Sequence, residues 1–141
     1  MTAGSDFSDR VVSSADPAAG AEASLTVPDG VEWEVVSVTI KAVFDATAVT
    51  RIVGIEVGHD DRRFTDNSAS LANETNVYTF DESGVVMDAG TAAIGHGPMP
   101  RTTLKPGDVV ATNTVNLQAG DNLGPLRLWV RERIIPQGVP T

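Results

Sequence analysis

Between Val36 and Ala42 apolar and polar residues alternate without a break, and Phe44 keeps the apolar phase. Val36, Val38, Ile40, Ala42 and Phe44 fall on one side, and Ser37, Thr39 and Lys41 on the other. This period of two predicts a strand with one buried face. Upstream the phase is opposite, because Trp33 and Val35 are odd-numbered, so a single strand over this stretch needs a β-bulge near Val35 and Val36 to return Trp33 to the core. Val27-Pro28-Asp29-Gly30 supplies the turn before it.

The same period recurs along the chain. Val53, Ile55 and Val57 alternate against Ile52, Gly54 and Glu56. Asn76 to Phe80 predicts a short strand with Tyr78 and Phe80 on one side. After the turn Leu104-Lys105-Pro106-Gly107-Asp108, the residues Val109, Ala111, Val115 and Leu117 share a face, with Asn113 among them marking a strand end or a subunit contact. The last strand is the most regular. Leu126, Leu128, Val130 and Ile134 face one way, Arg127, Trp129, Arg131 and Arg133 the other, and Glu132 interrupts the apolar side.

No ten-residue window combines helical spacing with a cap. About eight short strands separated by Gly, Pro, Asn and Asp turns predict an all-β fold, an antiparallel β-sandwich of jelly-roll type, with a closed barrel as the structural alternative. Residues 1–23 read as an extended N-terminal arm whose sizeable apolar groups are Phe7, Val11 and Val12, with a fold-back onto the same domain as the other reading. Residues 24–136 form the sandwich domain and 137–141 a tail. His59 to Asn73 and Asp88 to Pro100 read as long exposed loops, with Val85 to Met87 a possible strand stub before the second.

Composition narrows the function. The 141 residues suit one domain with an ordinary core. With no cysteine there is no disulfide framework, thiolate zinc site or cysteine nucleophile. Neither a secretory leader nor an apolar run long enough for a membrane span is legible, so the expectation is a protein made in the cytoplasm with no membrane partner. A net charge of −9 argues against nucleic acid as a partner and is read first as a solubility feature.

The run LTVPDGVEWEVVSVTIKAVFDATAVTRIVGIEV, followed by LKPGDVVATNTVNLQAGDNLGPLRLWVRERI, resembles small structural proteins of tailed bacteriophages, of the head decoration or minor capsid type. The likeness spans Ser24 to Ile134. It rests on a Val-Pro-x-Gly turn, a Trp-containing strand, a small-residue loop ending in Arg51 and a late Gly-Asp-Asn before the final strand. It implies a sandwich fold and a virion role; its motifs are turns and strands without chemistry.

Sites for chemistry are sparse. His59 and His96 are 37 positions apart and are both read as loop residues. His59 with Asp60 and Asp61, or Asp60, Asp61 and Asp66 together, lack the ligand spacing of a zinc or calcium site. No nucleophile elbow, phosphate loop or dinucleotide fingerprint occurs. We therefore expect no catalytic, cofactor or metal residues and no enzyme.

The feature that asks for a function is the face of the last strand, where three of the ten basic residues flank Trp129. Arg and Trp are enriched at binding hot spots; the alternative is a solvated face with an arginine stacked on Trp129. The expected partner interface is Phe7, Val11, Val12, Arg127, Trp129, Arg131 and Arg133. The expected role is a decoration (cement) or minor capsid protein of the virion, bound to the major capsid protein of the same particle and self-associating, as a trimer by analogy. The rival readings are a host-attachment or carbohydrate-binding module, using the loops 59–73 and 88–100, and a tail or connector component.

Overall fold

A computed structural model describes residues 7–58, 62–65, 70–82 and 93–136. Among these residues the chain forms eleven strands and no helix, arranged as two sheets. The first sheet joins β1 (Ser8–Ser13), β11 (Arg127–Ile134), β3 (Val31–Val43), β6 (Thr75–Asp81) and β7 (Ala93–Pro98) in that order. The short β8 (Thr102–Leu104) and β10 (Asn122–Leu123) also pair with β3. The second sheet runs β2 (Ser24–Thr26), β9 (Val109–Thr112), β4 (Gly54–Val57), β5 (Arg62–Thr65). Neighbours are antiparallel except β6 and β7, which are parallel. The fold is a β-sandwich, as the alternation predicts.

β3 is the spine of the first sheet, and its bulge is where the phase change put it. Ser37 is opposite Trp129 and Val35 opposite Val130, so Val36 is the extra residue. The insertion places Trp33 and Val35 on the same side as Val38, Ile40 and Ala42, all five buried. Facing them from the second sheet and its flanks are Val53, Ile55, Val57 and Val110, with Tyr78, Phe80, Leu128 and Val130 completing the centre of one core. Each such side chain contributes about 1.5–3 kcal/mol on full burial.

Four expectations change. Ser8–Ser13, within the stretch read as an arm, is strand β1 on the edge beside β11, so the fold-back reading describes it. Residues beyond it are also tied down: Ser14 N–H donates to Leu126 O, Gly20 N–H to Asp121 O, and Ala23 is buried against Thr112. The loop read from His59 to Asn73 contains β5, which closes a hairpin with β4. The loop read from Asp88 to Pro100 contains β7, so His96 is a strand residue. Finally, β9 buries Val110 and Thr112 and leaves Val109 half-exposed, the reverse of the predicted face. Thr112 takes the inner position because its hydroxyl accepts from the N–H of Ala23. Val85–Met87, His59, Asp60, Asp61, Asp66 and the tail 137–141 lie outside the described residues.

Candidate interaction face

The outer face of the first sheet is built around β11, whose odd residues cannot enter the core because Leu128 and Val130 already do. Register then decides what stands beside each. Trp129 lies between Val11 of β1 and Ser37 of β3, Arg131 between Asp9 and Glu34, and Arg127 between Ser13 and Thr39. Arg133 is opposite Glu32.

These neighbours make an ion-pair network at one end of the face. Arg133 reaches Glu32 at 2.8 Å, while Arg131 sits 3.6 Å from Glu34 and 3.8 Å from Asp9. Arg101 continues the chain to Glu34 at 3.4 Å and Glu82 at 3.2 Å. Phe7 lies under the guanidinium groups of Arg131 and Arg133, 5.1 and 5.5 Å from its ring centre. On this face, among the described residues, arginine stacking therefore occurs on Phe7, which immediately precedes β1, and not on Trp129. Each exposed contact of this kind is worth up to about 1 kcal/mol.

Toward the middle of the face the character changes. Val11 is 72% exposed and Trp129 48%, side by side on adjacent strands. With Asp9 and Arg10 they line a shallow depression at the sheet edge. Arg127, next along β11, is exposed and has no ion-pair partner among the described residues. The four arginines 101, 127, 131 and 133 are balanced by Asp9, Glu32, Glu34 and Glu82, so this surface is close to neutral on a chain of net charge −9.

Six of the seven expected interface residues thus share this face. Val12 does not; it turns inward and packs against the core. The acids of the network, Asp9, Glu32 and Glu34, escape a reading of β11 alone. The bulge in β3 was the available signal, because putting Trp33 and Val35 inside puts Glu32 and Glu34 outside.

Glu132, which interrupts the apolar side of β11, has a structural explanation. It accepts a hydrogen bond from the Trp33 indole N–H at 2.9 Å and two from Arg10 at 2.9 and 3.0 Å. Burial pushes its carboxyl up, but the Trp33 bond and the Arg10 bonds and charge outweigh this and hold it below the ordinary value.

A second polar cluster was not legible as a site. Arg51 is fully buried; its guanidinium donates to Asp121 through two nitrogens at 2.9 and 3.0 Å and to Asp45 at 2.7 Å. The carbonyls of Thr47 and Val49 accept from it at 3.1 Å, and its plane lies 5.1 Å from the centre of Phe44. Asp121 also accepts the backbone N–H groups of Asp45 and Gln118. The cluster clamps the loop after β3 to the turn before β10. Asp45 is held below its ordinary value, first by the backbone N–H of Thr47, against some opposition from burial. Every donor and acceptor here points at another part of the chain, so the cluster is architecture.

No family model matches the chain, and no curated relative does. Among solved structures it is similar to one described as PfGH50B, with 13% identity and a TM-score of 0.36, over 95% of this chain and 24% of that one. A structure of infectious bursal disease virus Gx strain gives 15% identity and a TM-score of 0.32, over 97% and 34%. The catalytic unit of a thermostable GH87 α-1,3-glucanase from Streptomyces thermodiastaticus strain HF3-3 gives 17% and 0.25, over 96% and 29%. The chain spans only between about a quarter and a third of the length of these structures, and the likenesses are too distant to bear on its role.

Proposed function

We propose that this chain is a structural protein of a virion, a decoration (cement) or minor capsid component that docks on the head shell through the outer face of its seven-stranded sheet. It acts by binding and not by catalysis, and its partner is the major capsid protein of the same particle. The observation that carries the reading is the exposed Val11–Trp129 pair, set in an arginine-rich surface that is locally neutral on an acidic chain. Such a surface approaches a second acidic protein without the repulsion felt by the rest of the molecule. The phage-like motifs between Ser24 and Ile134 support the same role.

One feature favours a second reading, a carbohydrate-binding or host-attachment module: an indole exposed on an open sheet also stacks on a sugar ring. Both readings meet the same experiment, co-sedimentation of the purified protein with capsids that lack it. Saturable binding at a copy number tied to capsid symmetry is the expected result. No capsid binding, with retention on host glycans instead, overturns the shell reading in favour of attachment.

A further inference from the structure

β1 ends the seven-stranded sheet, and among the described residues no strand lies beyond it. The direction of its backbone groups follows from one bond. Ser14 N–H donates to Leu126 O at 2.9 Å, continuing the register that sets Ser13 opposite Arg127. In an antiparallel ladder the groups alternate sides, so Ser8, Arg10 and Val12 address β11. Asp9, Val11 and Ser13 direct their N–H and C=O groups to the open edge.

We propose that this edge pairs with β1 of a second copy, antiparallel, about a two-fold axis passing through Val11. Each copy offers three outward residues, and in this register all of them are used. Val11 meets Val11 of the second copy, Asp9 meets Ser13 and Ser13 meets Asp9, giving six backbone hydrogen bonds.

The side chains select that register over its neighbours. Centring on Arg10 sets Arg10 against its own copy, and centring on Asp9 opposes two carboxylates; like charges directly opposite are unfavourable. Centring on Val12 leaves Asp9 unmatched and reduces the bonds to four. Centring on Val11 aligns Trp129, Val11, Val11 and Trp129 in one apolar row across the joined outer face. It also brings Asp9 of the second copy beside Ser13, two strands from Arg127. At roughly 10 Å between those backbones, an arginine reaches across the small serine between them. Arg127, which has no ion-pair partner among the described residues, acquires one.

Pairing of identical edges is isologous and closes as a dimer, so this surface does not make a trimer. The joined sheet presents a doubled Val11–Trp129 row to any shell or glycan. The dimer stands independently of either functional reading, because it is measured on the purified chain alone.

The test is sedimentation of the full chain over a concentration series, with two variants. The wild type is expected to show a monomer–dimer equilibrium. Val11→Pro removes the outward N–H without touching a bond to β11, so it should raise the dimer Kd by about tenfold or more and leave the melting temperature near that of the wild type. The chain has no cysteine, so Val11→Cys provides a single thiol. It should cross-link to itself through a short bis-maleimide, each thiol adding to one maleimide ring, whereas Asp9→Cys should not, because the Asp9 positions lie four residues out of register. A monomer at all concentrations, a trimer, or equal cross-linking from positions 9 and 11 overturns the proposal. So does a dimer that a folded Val11→Pro leaves intact. Should Val11→Pro melt early, the cross-linking contrast decides.

Discussion

Two groups of arginines on this chain teach opposite lessons. Arg51 is completely enclosed, its guanidinium bonded to two carboxylates and two carbonyls of its own fold. Arg127, Arg131 and Arg133 stand on a sheet face, half in solvent: Arg133 is paired closely with Glu32, Arg131 loosely with Glu34 and Asp9, and Arg127 with no carboxylate among the described residues. The first arrangement spends every hydrogen bond internally and leaves nothing for a partner. The second contributes little to folding, because exposed ion pairs are screened and cost side-chain entropy. Its arginines remain available for a surface brought against them.

The comparison breaks most sharply at Arg51. Arg51→Ala leaves Asp121 buried without its countercharge, and such a loss costs about 3–5 kcal/mol. The expected outcome is a chain that melts many degrees lower, or fails to fold, in a thermal scan. A loss below 1 kcal/mol would mean the clamp is not structural.

Next is the tie between Trp33 and Glu132, which lies between the two extremes. Trp33→Phe keeps the ring in the core but removes the indole donor, and a hydrogen bond to a carboxylate is worth about 1.5–3 kcal/mol. Chemical denaturation should show that loss.

The same carboxyl sets a pH dependence. Glu132 and Asp45 both titrate below their ordinary values of 4.5 and 3.8 in the folded state. A lowered native value means the contribution is fully present above the ordinary value and disappears as pH falls through the native one. Melting temperature should therefore hold steady above pH 4.5 and drop below it, less steeply in Trp33→Phe. A stability that rises on acidification would contradict this.

The smallest effect on stability belongs to the exposed row. Arg131→Ala and Arg133→Ala should each change stability by less than about 1 kcal/mol, measured by denaturant titration.

Much of the fold can be read from alternation, and the reasons for the gaps are physical. The bulge in β3 is legible because Trp33 and Val35 break phase with Val38 and Ile40. β5 and β7 are not, since Arg62-Arg63-Phe64-Thr65 carries one apolar side chain and Ala93–Pro98 is rich in glycine. At Gly97 the glycine answers a tertiary demand, for a Cβ there would come within 2.6 Å of the Phe80 ring. β9 misleads because Val109 and Val110 are adjacent, and the bond between Thr112 and Ala23 decides which turns inward.

The interaction face is partly legible. The arginines and Trp129 follow from the period of β11, but their partners arrive through pairing with β1 and β3, more than eighty positions away along the chain. The Arg51 clamp joins residues 70 apart, and nothing local in either segment announces it.

The central claim is that the Val11–Trp129 face binds and does not hold the fold together. It is tested most directly by co-sedimentation of Trp129→Ala/Arg131→Ala with capsids lacking the protein, beside a melting curve of the same variant. Lost capsid binding with a melting temperature close to wild type is the predicted result. Full capsid occupancy by the variant, or a fall in stability that accounts for the lost binding, would contradict the claim.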